Sequence, residues 1–265
     1  LMKMNLWPEN VVVSLPRHHY SFQSFELPAP DRKAVDSMVE FEMERHFSFG
    51  LEGLLYGWHV SSKGEKNYHI ISAALKKETA EEYLDLVRRL GIPTTILDVP
   101  TFADANLILW NDKTCRSLEA IVDLGTQALE IILVKNRSVE FSCNLPLNDP
   151  DFKNAYLRDD LSPDYHESMA IGMAKLIVEE LQEALASCRN IDDSEAVERI
   201  HFLGGGPYAP YVARQLEKET EVVTLLVPIP EPVSSPPPET YSTAFMATSL
   251  GLAMRDMKPA EIEVN

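Results

Sequence analysis

Ala120-Ile-Val-Asp-Leu-Gly-Thr126 and, far downstream, Phe202-Leu-Gly-Gly-Gly-Pro207 are each an apolar strand that runs straight into a glycine turn. The first predicts a strand, a turn at Gly125 and a return strand over 128–134. The second predicts a strand over 200–203, a three-glycine turn and a helix opening at Pro207. Glycine lets backbone approach a ligand closely, and a helix start after such a turn offers free N–H groups to anions. Two such turns on one core predict a nucleotide cleft between two domains, or the relic of one.

Composition narrows the partners. The chain has 265 residues, 45% of them hydrophobic, enough for one large core or two modest ones. Its formal charge is 24 − 41 = −17, and no Lys/Arg cluster exceeds a pair such as Lys76-Lys77 or Arg88-Arg89. That argues against nucleic acid and against adhesion to an anionic membrane, while suiting a basic protein surface. Cys115, Cys143 and Cys188 are odd in number, widely spaced and outside any zinc pattern, so they read as reduced thiols. No apolar run reaches membrane-span length and no signal peptide opens the chain, so a cytoplasmic location is expected.

The organisation reads as follows. Val11-Val-Val-Ser-Leu15 predicts a fully buried strand with neighbours on both faces. Residues 22–27 alternate as a half-buried strand, and Asp31 opens a helix carrying Val35, Met38, Val39, Met43 and Phe47. Strands over 54–60 and 68–75 form a hairpin. The next helix has a Thr79/Glu82 capping box, a buried stripe of Tyr83, Leu86, Val87 and Leu90, and a stop at Gly91. A strand over 94–99 closes this inserted α+β subdomain, residues 21–98. Residues 1–20 and 99–118, with a short helix over 102–111, make the remainder of a first lobe. A second lobe spans 119–258, with strands at 119–124, 128–134 and 138–142 and a turn at Asn136. A long helix capped by Ser162-Pro163 carries Met169, Met173, Leu176, Ile177, Leu181 and Leu185 on one face. Helix 207–219, strand 222–227 and a small-residue helix over 244–254, where Gly251 permits a close crossing, complete the lobe. Residues 228–239 read as a stiff proline-rich loop and 259–265 as a linker or tail.

This ordered set resembles the PilM family of type IV pilus assembly proteins and the related cytoplasmic domain of the type II secretion protein GspL. Both are similar to bacterial actins such as FtsA. Phe25-Glu-Leu-Pro28 and the stretch 40–49 resemble the family's entry to the inserted subdomain, and Ile71-Ser-Ala-Ala74 and 91–99 two of its later segments. Asp123-Leu-Gly125 is similar to the second phosphate loop of that superfamily, Leu203-Gly-Gly-Gly206 to its adenosine loop, and 249–255 to the closing "GLALR" helix. The resemblance implies an actin-like (RNase H-like) two-lobed α/β fold with an inserted small α+β subdomain. It makes Asp123, Gly125, Thr126, Gly204, Gly205 and Gly206 candidate nucleotide-binding residues. Two departures stand out. The family's first hairpin, with its own Asp-x-Gly phosphate loop, is expected to be missing before Val11. The hydroxyl residue expected four positions after Gly125 is Leu129. ATP with Mg²⁺ is therefore expected to bind weakly if at all, and no cofactor is required.

The function implied is a non-catalytic cytoplasmic scaffold at the inner membrane, linking a secretion ATPase to membrane components. The alternative is an active ATP-binding ATPase of the actin/sugar-kinase class, which needs a complete phosphate clamp and a general base. A partner implied by the family is a membrane protein whose PilN-like peptide, apolar-Asn-Leu-Leu-Pro in character, docks into a groove. Val264-Asn265 is similar to its start, so the two are expected to be fused in one longer chain, unless this is a plain tail. Phe49, Tyr56 and Trp58 are candidate partner anchors unless they fill the subdomain's own core, and a homodimer is a further expectation. His18-His19 should point apart on a strand and hold no metal. Glu40, Glu42, Glu44 and His46 read as a solvated helix flank, as do Glu179, Glu180 and Glu183. Ser14, Ser142 and Cys143 lack the neighbours of a nucleophile.

Overall fold

The computed structural model describes residues 11–257 apart from 48–49, 92–95, 112, 114, 159, 193 and 229–242. The chain enters through β1 (Val12–Ser14), a 3-10 turn at Arg17–His19, and β2 (Tyr20–Pro28). Asp31 then caps α1 (Arg32–His46) by accepting the Ala34 N–H at 2.9 Å. β3 (Leu54–Lys63) and β4 (Asn67–Lys76) pair with β2 in an antiparallel sheet of order β2-β4-β3. Side chains alternate across it. Phe25, Leu27, Trp58 and Ile70 pack under α1, while Ile71, Ala73 and Leu75 face α2 (Lys77–Arg89) and α3 (Pro100–Asn111).

Four expectations fail here. β1 is half-buried along its length, not sandwiched, and its partner among the described residues is β5 (Ile96–Asp98), parallel to it. β5 thus joins β1 instead of closing the three-stranded sheet. The capping box does not form, because α2 starts at Lys77 and Thr79 already lies inside its first turn. Of the α2 stripe, Tyr83 and Val87 are half-buried, with Tyr83 against the core, while Leu86 and Leu90 are 60% and 65% exposed.

The second lobe is one sheet of order β10-β9-β6-β7-β8. β6 (Glu119–Leu124), β7 (Ala128–Lys135) and β8 (Ser138–Pro146) form an antiparallel meander, and β9 (Arg199–Gly204) and β10 (Val223–Leu226) run parallel to β6. This is the RNase H-like strand order. Asn136 and Arg137, both at positive φ, make the β7–β8 turn. Helices cover both faces, which is why these strands read as nearly unbroken apolar runs. Ala120, Val122, Ile131 and Phe202 meet α5 (Pro163–Ser187) and α6 (Ala209–Thr220). Ile121, Ile132, Val134 and Leu203 meet α3 and α7 (Thr243–Met257). Ser162 caps α5 through the Tyr165 N–H, as expected. α4 (Pro150–Leu157), capped by Asp149, was not foreseen, and a 3-10 turn at Gly206–Tyr208 precedes α6 where a helix start at Pro207 was expected. The proline-rich loop, apart from Pro228, and the tail lie outside the described residues.

Candidate functional site

The two glycine turns meet. Gly205 N–H donates to the Leu124 carbonyl at 2.7 Å, pinning the end of β9 to the end of β6. Gly204 has φ +71°, and a Cβ there would stand 2.3 Å from the Leu124 carbonyl oxygen and 2.8 Å from Asp123 Oδ1. Only glycine fits that approach. Gly205 and Gly206 are also left-handed. Beside them a cleft of about 360 Å³ is lined by Asp123, Gly125, Thr126, Arg17, Glu130 and Thr248, among others. It shares His18 and 126–128 with a second hollow of about 570 Å³ bounded by 146–150 and Lys153. The structure therefore places Asp123, Gly125 and Thr126 on the crevice wall, while Gly204 and Gly205 pack against the end of β6 and, like Gly206, are not part of that lining.

Its electrostatics come from residues the sequence reading passed over. Asp123 and Glu130 stand directly opposite each other across β6 and β7, and like charges so placed repel. Burial first, then the Glu130 carboxylate, push the Asp123 carboxyl up to about 7. Asp104, on α3, is fully buried, and both its oxygens lack a well-formed hydrogen bond. Burial, then Asp123 and Glu130, raise it well above the usual carboxylate range, with only the Thr248 hydroxyl pulling the other way. Glu130 is satisfied: its Oε1 accepts from Arg17 at 2.8 Å, from Ser142 at 2.7 Å and from the Thr101 hydroxyl. A lone acid inside the apolar run 128–134, and another inside the apolar helix 100–111, were the available signals.

This crevice does not fit a triphosphate. Its wall presents Asp123 and Glu130, with Asp104 behind, and the guanidinium of Arg17 is already committed to Glu130. The other candidates scatter. Trp58 is buried in the α1 core with the Arg32 guanidinium 4.7 Å from its ring centroid, which does not suit a partner anchor. Tyr56 is half-buried and its hydroxyl donates to Glu40; Phe49 lies outside the described residues. His18 and His19 sit in the 3-10 turn with rings 4.2 Å apart, contrary to the expected divergence. No group of three metal-ligating side chains occurs among the described residues.

A second concavity, of about 260 Å³, separates the three-stranded sheet from β5. Leu55, Ala73, Leu75, Leu97 and Val99 make it apolar, and Tyr20 and Arg255 wall it. β3 borders it as an edge strand of its sheet. Arg255 is held there by Asp98 at 2.6 Å.

No protein-family model matches the chain, and no curated protein does. Among solved structures, a chain of the PilM–PilN type IV pilus biogenesis complex superimposes with a TM-score of 0.75, at 19% identity, over 97% of this chain and 82% of that one. The chain has the actin-like fold of PilM. The cytoplasmic domain of EpsL, an inner membrane component of the type II secretion system of Vibrio cholerae, matches with a TM-score of 0.47 at 11% identity, over 92% of this chain and 74% of that one. Among the described residues of this PilM-like fold, no helix is long and apolar enough to cross a membrane.

Proposed function

We propose that this chain is a non-catalytic actin-like scaffold of a type IV pilus or type II secretion inner-membrane platform, linking a secretion ATPase to membrane components. The observation that carries the reading is the likeness, across nearly the whole chain, to a protein solved in a complex with a pilus partner. The apolar groove beside β3 supports a peptide partner. An extended apolar peptide can lie along the edge of β3, using main-chain hydrogen bonds for affinity and the Leu55–Leu97 hollow for side chains. Leu55 is 38% exposed, so changing it leaves the core alone. In fluorescence polarisation with a synthetic PilN-like peptide, Leu55→Asp should bind at least about tenfold more weakly than wild type, with an unchanged melting temperature. Equal binding by both proteins would remove the groove from the reading. The net charge of −17 suits a basic patch on the ATPase, giving an affinity that falls as salt rises.

The retained meeting of Asp123 with the glycine turn of 204–206 favours a second reading, an ATP-binding relative. Calorimetric titration with Mg²⁺-ATP decides between them. Binding weaker than about millimolar is expected, and micromolar affinity would restore the ATPase reading.

A further inference from the structure

Arg17 is the most heavily engaged side chain of the interlobe crevice. Its Nε donates to Glu130 at 2.8 Å, its Nη2 to the Ser142 hydroxyl at 3.0 Å and its Nη1 to the Tyr20 carbonyl at 3.0 Å. Its guanidinium carbon also lies 4.0 Å from the centroid of the Phe22 ring. The pair is buried, with side chains 11% and 3% exposed. One planar cation thus joins two strands of the second lobe to the start of β2, with a geometry that lysine cannot reproduce. Tyr20 carries the connection onward. Its hydroxyl donates to the Asp98 carbonyl at 2.9 Å and accepts from Leu15 N–H at 3.2 Å, while its ring walls the apolar groove. The Asp98 carboxylate in turn fixes Arg255 on the same groove. A continuous path of hydrogen bonds therefore runs from β7 and β8, through Arg17, Tyr20 and Asp98, to Arg255.

We propose that Arg17 acts as a built-in strut in place of a cleft ligand, tying the second lobe to the groove wall so that the setting of the lobes governs whether the groove is formed. Glu130 carries two jobs under this arrangement. Its charge holds Arg17, and Arg17 offsets the repulsion between Glu130 and Asp123. Arg17 is a positioning residue: it lines the crevice and not the groove, and acts through Tyr20. The groove's use by a peptide rests on the function proposed above; the strut itself does not.

Hydrogen exchange read by mass spectrometry on the full chain, paired with peptide affinity, separates the two. In Arg17→Lys and Glu130→Gln, exchange at 20–23 and 96–98 should speed up on the order of tenfold, while α5 and α6 stay as protected as in wild type. Peptide affinity should drop by a similar factor. Ser142→Ala, which removes one contact and keeps the charge pair, should move the same segments less, and it serves as the readout should the charge variants unfold. Unchanged exchange at 20–23 and 96–98 in all three variants would overturn the strut. Faster exchange there, with no peptide binding by wild type, would support the strut and discard the peptide assignment.

Discussion

Replacing Gly251 by alanine should destabilise the chain by about 3 kcal/mol, a loss of roughly 10 °C in melting temperature. The reason is local. α7 crosses α3 at this glycine, and a Cβ there would stand 2.1 Å from the Ala103 carbonyl oxygen and 2.5 Å from its carbon. Those are backbone atoms of a helix whose neighbours Phe102, Ala105 and Leu107 are completely buried, so the two helices must separate to make room. α7 also packs on β9 and carries Arg255, so the shift would reach the glycine turns and the groove together. Gly172 supplies the control. It lies in the middle of α5, exposed, with nothing within 4 Å of its would-be Cβ. Gly172→Ala should therefore stabilise by about 1 kcal/mol, through the helix preference of alanine over glycine. Urea unfolding of both variants checks the pair, and a Gly251→Ala protein as stable as wild type would mean that α3 and α7 do not touch as described.

What could be read from the sequence follows what is written locally. The strands of 119–134 announce themselves because both faces are covered and the residues before each turn are apolar apart from Glu119, Asp123 and Glu130. Ser162-Pro163 and Gly91 mark helix ends by backbone chemistry alone, and Gly251 declares a close crossing by lacking a side chain. The α2 stripe fails for a general reason: periodicity says which residues share a face, but not whether anything covers that face. α4 fails because Pro150-Asp-Phe-Lys-Asn-Ala-Tyr-Leu157, although capped, is only 8 residues long, too short for its Phe152, Ala155 and Tyr156 spacing to stand out as a period. In the crevice, Asp123, Gly125 and Gly204 were legible as motifs. Arg17, Thr101, Asp104, Glu130 and Ser142 were not, because they come from four separate segments that only the fold brings together. Motifs contiguous in the chain are legible in it; a cluster assembled from distant segments, such as Arg17 with Glu130 and Ser142, is not.

The repulsion between Glu130 and Asp123 should be visible in the pH dependence of stability. The Asp123 carboxyl is raised to about 7 in the folded chain, whereas an unfolded aspartate titrates near 3.9. Between those values the folded state holds a proton that the unfolded state has released. The stability slope is proportional to protons bound unfolded minus folded, so it is negative, and stability falls as pH rises through that window. Asp104, raised for the same cause, acts with the same sign. Going from pH 5 to pH 8 should cost on the order of 3 kcal/mol from Asp123. Asp123→Asn keeps the shape, removes the ionisation and ends the repulsion of Glu130. Its slope should be flatter than wild type over that range, and at pH 8 it should be the more stable protein by on the order of 2 kcal/mol. Urea midpoints at pH 5, 6.5 and 8 provide the comparison, with the difference between the two proteins isolating Asp123 from every other titrating group. Parallel slopes would show an ordinary, ionised aspartate at the end of β6. The crevice would then carry the full negative charge at neutral pH, and its repulsion of a triphosphate would be stronger than with Asp123 protonated.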